Sequence, residues 1–125
     1  MSVVLDAGAF IAVERADRRV AAMFRVAQQH GLRVRTSAAV VAQIWRADPR
    51  QARLARILQG VQEVSLDARS SRHVGATLES SGTTDVVDGH VATLVSSGDS
   101  LLTSDPGAIA HLLGVLGVDA TVVGV

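Results

Sequence analysis

The chain has 125 residues, 48% of them apolar, with twelve basic and twelve acidic side chains that cancel to a formal net charge of zero. This allows one packed domain over residues 1–125 and excludes a disordered chain. The absence of cysteine excludes disulfides, thiolate metal sites and cysteine nucleophiles. No apolar run approaches a membrane span. Met1 opens directly into a strand-like run with no visible secretory signal, so a cytoplasmic protein is expected.

The charge is unevenly spread. All twelve basic residues are Arg, and all lie between Arg15 and Arg72. Residues 1–72 carry six acids against those twelve, a net +6, whereas residues 73–125 carry six acids and no base, a net −6. A basic surface beside an acidic one is implied. The preference for Arg over Lys follows from a composition rich in Ala, Val and Gly, as a GC-rich coding sequence produces. It does not explain why Arg stops at residue 72.

Val3–Leu5 is short, apolar and β-branched, as a buried strand should be. A short helix follows from Gly8 to about Arg15. Asp17 caps a second over Arg18–Gln29, with apolar positions at Val20, Met23, Phe24 and Ala27, and His30-Gly31 stops it. Leu32–Arg35 is the second strand. Thr36 or Ser37 caps a helix over Ala38–Arg46. Asp48-Pro49 starts another that runs to Gln59, with Leu54, Ile57 and Leu58 on one side and Arg50, Arg53 and Arg56 on another.

The third strand is predicted over Val61–Leu66, and Asp67 caps a helix over Ala68–Glu79. After the loop at Ser80–Thr84, Asp85–Val95 is an apolar helix, closed by Ser96-Ser-Gly-Asp99. Ser100–Thr103 is the fourth strand, Asp105-Pro106 repeats the acid–proline start, Ile109–Leu116 is the following helix, and Ala120–Val125 is the last strand. Strands alternating with helices imply an α/β domain with a mostly parallel sheet covered on both faces. The pattern does not reveal the strand order.

Chemistry is expected beyond the carboxyl ends of parallel strands. Asp6 and Asp105 each follow an apolar strand, and Asp85 and Asp88 stand at the mouth of an apolar helix. Each acid also has a structural explanation. Asp6, Asp85 and Asp105 precede helices, where a carboxylate satisfies free N–H groups, and Asp85-x-x-Asp88 resembles a capping box. Asp48 and Asp67 are assigned to capping alone. Asp88, one turn inside its helix, is not the N-cap if Asp85 is. Several like charges held together need a cation, and oxygen-only ligands suit Mg²⁺ or Mn²⁺ rather than zinc. The four histidines, His30, His73, His90 and His111, have no ligand spacing among them and receive no catalytic role; His90 is expected to point away from Asp88 around the helix.

These segments resemble the PIN-domain nucleases, and in size and layout the VapC-type toxins of bacterial toxin–antitoxin pairs. The resemblance rests on Val3-Val-Leu-Asp6-Ala, on Thr84-Asp-Val-Val-Asp88-Gly-His-Val-Ala and on Leu101-Leu-Thr-Ser-Asp105, and covers nearly the whole chain. It implies a three-layer α/β/α fold with a parallel five-stranded sheet of order 3-2-1-4-5, which sets Asp6 beside Asp105. It implies Asp6, Asp88 and Asp105 as metal ligands, with Asp85 an accessory carboxylate. The family's usual Glu after strand 2 falls on Gln43, which keeps a carbonyl oxygen but no charge, so weaker metal binding is expected.

The implied activity is Mg²⁺-dependent (or Mn²⁺-dependent) hydrolysis of RNA, with Gln43 and Asp85 orienting waters or a second ion. Arg50, Arg53 and Arg56 would contact the RNA backbone, or form a solvated helix face. Ser104 would hydrogen-bond the phosphate or serve only the strand end. Phe10, Phe24 and Trp45 leave base stacking a minor theme. A cognate antitoxin and a homodimer are implied as partners, and no membrane. The alternative is a catalytically weak or inactive PIN-like domain that binds RNA or a partner. A phosphoacceptor domain would resemble the chain less well, since no Lys is present, and a haloacid-dehalogenase-like phosphatase would want Asp where Gly8 stands.

Overall fold

The computed structural model describes all 125 residues. In chain order it contains β1 (Ser2–Leu5), α1 (Ala7–Glu14), α2 (Arg18–Gln29), β2 (Arg33–Ser37), α3 (Ala38–Ile44), a 3₁₀ turn (Pro49–Gln51) and α4 (Ala52–Leu58). Then come β3 (Gln62–Val64), α5 (Ala68–Ser81), α6 (Val86–Leu94), β4 (Ser100–Thr103), α7 (Pro106–Leu116) and β5 (Thr121–Gly124). The strands form one parallel sheet of order β3-β2-β1-β4-β5. The direction in which successive strands are added reverses between β1 and β4, so the carboxyl ends of these two parallel strands flank the switch point.

The α1 helix packs with α2, α3 and α4, and α5, α6 and α7 pack with one another. Right-handed crossovers place these two sets on opposite faces. With both faces covered, β1 and β4 need apolar side chains on both sides. Val4, Leu5, Leu101 and Leu102 are accordingly buried, and Phe10, Leu54, Val91 and Ile109 pack into the same core from the helices.

Several boundaries differ from the sequence expectation; β2 runs on to Ser37, α5 runs on to Ser81, and α7 already begins at Pro106. The α3 helix ends at Ile44 instead of Arg46, and Trp45 is extended at φ −79°, ψ 132°. Gln51 is the cause: its amide donates to the Ile44 carbonyl at 2.7 Å, and its side-chain oxygen accepts from the Arg46 N–H at 2.9 Å. The next helix starts as a 3₁₀ turn and becomes α-helical only at Ala52. At the sheet edge, β3 shrinks to Gln62–Val64, because it has β2 as its one neighbour and few ladder bonds to extend it.

Candidate active site

The site is built where β1 and β4 end side by side. The Asp6 N–H donates to the Leu102 carbonyl at 2.9 Å, continuing the ladder one residue past the strand. Here α1 begins almost in contact with the β4 terminus. A Cβ on Gly8 would stand 2.6 Å from Ser104 Cβ, so only glycine lets the two backbones come this close. Asp6 is buried, and one carboxylate oxygen accepts from the Ala7 N–H at 2.8 Å, as an N-cap.

The other Asp6 oxygen accepts from the Thr103 hydroxyl at 2.8 Å, and that hydroxyl accepts from the Asp105 N–H at 3.0 Å. Thr103 is fully buried and spans the two acids. It was not singled out from the sequence. The signal was a hydroxyl residue as the last residue of a buried strand, two positions before a candidate ligand.

Asp105 caps α7, accepting from the Ala108 N–H at 3.3 Å, and stays exposed. Asp85 caps α6, accepting from the Asp88 N–H at 2.9 Å. The capping roles of all three acids are thus real. Asp88 is different: it is half-buried inside the first turn, and its carboxylate receives no hydrogen bond from the protein. Burial, and then the charges of Asp85, Asp6 and Asp105, push its pKa from the ordinary 3.8 up to about 6. The charges of the other three acids therefore reach Asp88. With Thr83, Thr84, Ala108 and Leu112, Asp85 and Asp88 line a cleft of about 300 Å³.

The donor set is carboxylate and hydroxyl oxygen, suited to a hard divalent cation. No three acidic or imidazole groups converge closely enough to form a ready-made metal cage. The residues therefore fit an ion that keeps most of its water and takes one or two carboxylates directly, which is how Mg²⁺ is usually held. They do not fit an ion stripped of its water.

Gln43 lies on α3, which packs against α6. It is exposed and makes no hydrogen bond, so nothing fixes its amide. Ser104 is exposed beside Gly8, Arg15 and Asp17 in a separate cleft of about 460 Å³.

The three arginines do not share one face of a single α-helix as expected. Arg50 sits in the 3₁₀ turn and folds back onto Asp48, with Nε 3.2 Å and Nη2 2.9 Å from its two oxygens. Asp48 also caps that turn, so the Asp-Pro start itself captures the guanidinium. Arg53 reaches the Val13 carbonyl of α1 at 3.5 Å, and Arg56 is exposed without a partner.

His90 points away from Asp88, as its spacing requires, and lands on Ser37: Nδ1 and Oγ are 2.6 Å apart in the interior. Burial holds the imidazole below its usual pKa, against the opposing charge of Asp67. Its Nε2 is buried with no partner.

No family model matches the chain, and no curated protein matches it in sequence. In structure it is similar to a chain of VapBC2 from Rickettsia felis, solved bound to a DNA fragment from the promoter, with a TM-score of 0.71 at 12% identity, covering 98% of this chain and 99% of the other. At that identity the likeness concerns fold, and the fold is the three-layer α/β/α, PIN-like arrangement with strand order 3-2-1-4-5.

Proposed function

We propose that this protein is a Mg²⁺-dependent endoribonuclease of the PIN type and the toxin of a toxin–antitoxin pair. The observation that carries the reading is the state of Asp88. A half-buried carboxylate with no protein donor, pushed up to about 6 by burial and then by three neighbouring acids, costs stability unless a cation or proton joins it. Its place beyond the ends of β1 and β4 is where parallel α/β folds hold their ligands. The fold shared with VapBC2 supports the toxin assignment and an antitoxin as partner. A homodimer is part of the same proposal.

In this reading Asp6, Asp88 and Asp105 hold the ion, directly or through its water. A bound Mg²⁺ supplies a more acidic water and neutralises phosphate charge. Thr103 keeps Asp6 and Asp105 in a fixed relation. Asp88, its pKa raised to about 6, is the group suited to take a proton from a water within its reach. Of the three arginines on this segment, Arg56 is free to meet the RNA backbone, Arg53 must leave the Val13 carbonyl, and Arg50 must first release Asp48.

A second reading, RNA or partner binding without cutting, draws on Gln43 and on the absence of a tight metal cage. Incubating an RNA pool with the purified protein, in Mg²⁺ or Mn²⁺ and in EDTA, separates the two. Cleavage that needs the metal and is lost in Asp6→Asn is expected. RNA retained but uncut under every metal would favour the binding reading.

A further inference from the structure

We propose that the buried Ser37–His90 hydrogen bond is a positioning device that sets the roll of α6, and with it the direction of the Asp88 carboxylate. The inference rests on reading Asp88 as a working group of the site.

Asp88 and His90 are two residues apart, roughly 200° around the helix axis. One therefore faces the cleft beside Ala108 and Leu112 of α7, and the other faces the end of β2. Gly89, between them, rests on α5. A Cβ there would lie 2.9 Å from Val74 Cγ1 and 3.0 Å from Leu78 Cδ2, so α6 rides close to α5 on this side. The apolar contact with α5 fixes how near α6 comes. It does not resist rotation as a directional bond does.

The polar tethers from α6 to the sheet are His90 to Ser37 and, one turn later, the Leu94 carbonyl accepting from Arg35 Nη1 at 3.2 Å. Arg35 and Ser37 lie two apart on β2 and so share a face. Ser37 Oγ also accepts from the Ala39 N–H at 3.0 Å, capping α3, the helix that carries Gln43. One hydroxyl therefore joins β2, α3 and α6. With its oxygen engaged as the cap, its proton is free to be donated to His90 Nδ1. The imidazole is then the neutral tautomer with hydrogen on Nε2, and that N–H is buried without a partner.

An orphaned buried N–H is unfavourable, and an apolar residue of similar size would remove it. Stability alone does not account for histidine here. A geometric demand does. At a helix radius of roughly 5–6 Å, a roll of about 10° moves a side-chain group by about 1 Å, and misplacement of that size can cost about a hundredfold in rate.

The test compares His90→Leu with His90→Asn, whose amide oxygen can accept from Ser37, and with Ser37→Gly, which retains much of the capping preference without the hydroxyl. His90→Leu is expected to melt at or above the wild type. Its amide resonances over Val86–Asp88 should shift, and its Mg²⁺-dependent kcat should fall about tenfold or more, with KM for RNA little changed. His90→Asn should recover most of both. Ser37→Gly should reproduce the His90→Leu shifts, and it decides the matter if His90→Leu fails to fold. Unchanged Val86–Asp88 resonances in a folded variant lacking the bond would overturn the proposal, and so would wild-type kcat. The resonances read α6 whether or not the protein cuts RNA. Failure of the nuclease reading is recognised separately, by a wild type that does not cleave.

Discussion

The two ends of the central strands use aspartate in opposite ways. At the amino end, Asp99 is buried and both of its oxygens are occupied, by the Ser2 N–H at 2.7 Å and the Ser96 N–H at 2.9 Å. It ties the start of β1 to the turn before β4, and its carbonyl accepts from Thr121 of β5. At the carboxyl end, Asp88 is half-buried with no protein donor and faces three other acids. One acid completes the fold, and the other is left incomplete by it. Burial alone does not separate structural from functional carboxylates here, since Asp6 is nearly as buried as Asp99. What separates Asp99 from Asp88 is whether the protein itself supplies the donors; Asp6 has both oxygens occupied, as Asp99 does, and differs from it in lying among other acids.

The sharpest way to break this contrast is to remove the acids at each end. Asp6→Asn, Asp88→Asn and Asp105→Asn should each lower cleavage by about a hundredfold or more, with the fold retained by circular dichroism. Asp99→Ala should do the reverse. It leaves the buried Ser2 N–H unpaired, at about 1–3 kcal/mol, and removes the part-buried bond from the Ser96 N–H as well. The melting temperature should then fall by roughly 10 °C while the rate per folded molecule is preserved. Full activity in all three site variants would remove the carboxylate model.

The same contrast shows what was legible beforehand. Asp6 and Asp105 could be read because strand-end acids are a local pattern, and so could the helix that carries Asp88. Asp99 was read only as the close of a turn, because its role depends on Ser2, 97 positions away. Thr103 and the Ser37–His90 pair escaped for the same reason: their partners lie 97 and 53 positions away. The strand order was implied by resemblance and not by periodicity, which records the face of a strand but not its neighbour. Arg50 was misjudged because helical periodicity was extended through a 3₁₀ turn, and the capping Asp48 then took its charge.

A finer test uses pH. The Asp88 carboxyl has a raised folded-state pKa, so the folded protein holds this proton more tightly than the unfolded chain does. Below about pH 4 the group is protonated in both states and carries no penalty. Stability is lost as pH rises from about 4 through about 6, where the folded state too must ionise. Asp88 is only half-buried, so solvent screening reduces the effect to about 1 kcal/mol. Asp88→Asn should therefore melt a few degrees above the wild type near pH 8 and level with it near pH 4. Mg²⁺ should close the gap near pH 8. A gap that persists at both pH values would mean that Asp88 is not under repulsion.

The smallest effect is expected at Gln43, and it bears on how incomplete the carboxyl end is. The acids already present repel one another, so adding another without a cation should destabilise the fold slightly. With a cation it should add a ligand or a second partner for metal-bound water. Gln43→Glu is expected to tighten Mg²⁺ binding by about tenfold or less, given that residue 43 is exposed and unanchored. It should also make the melting temperature more dependent on Mg²⁺ than in the wild type. The two changes must appear together. Calorimetric titration that finds unchanged or weaker affinity would place residue 43 away from the ion, and the acids following β1 and β4 and at the start of α6 would then constitute the whole charge of the site.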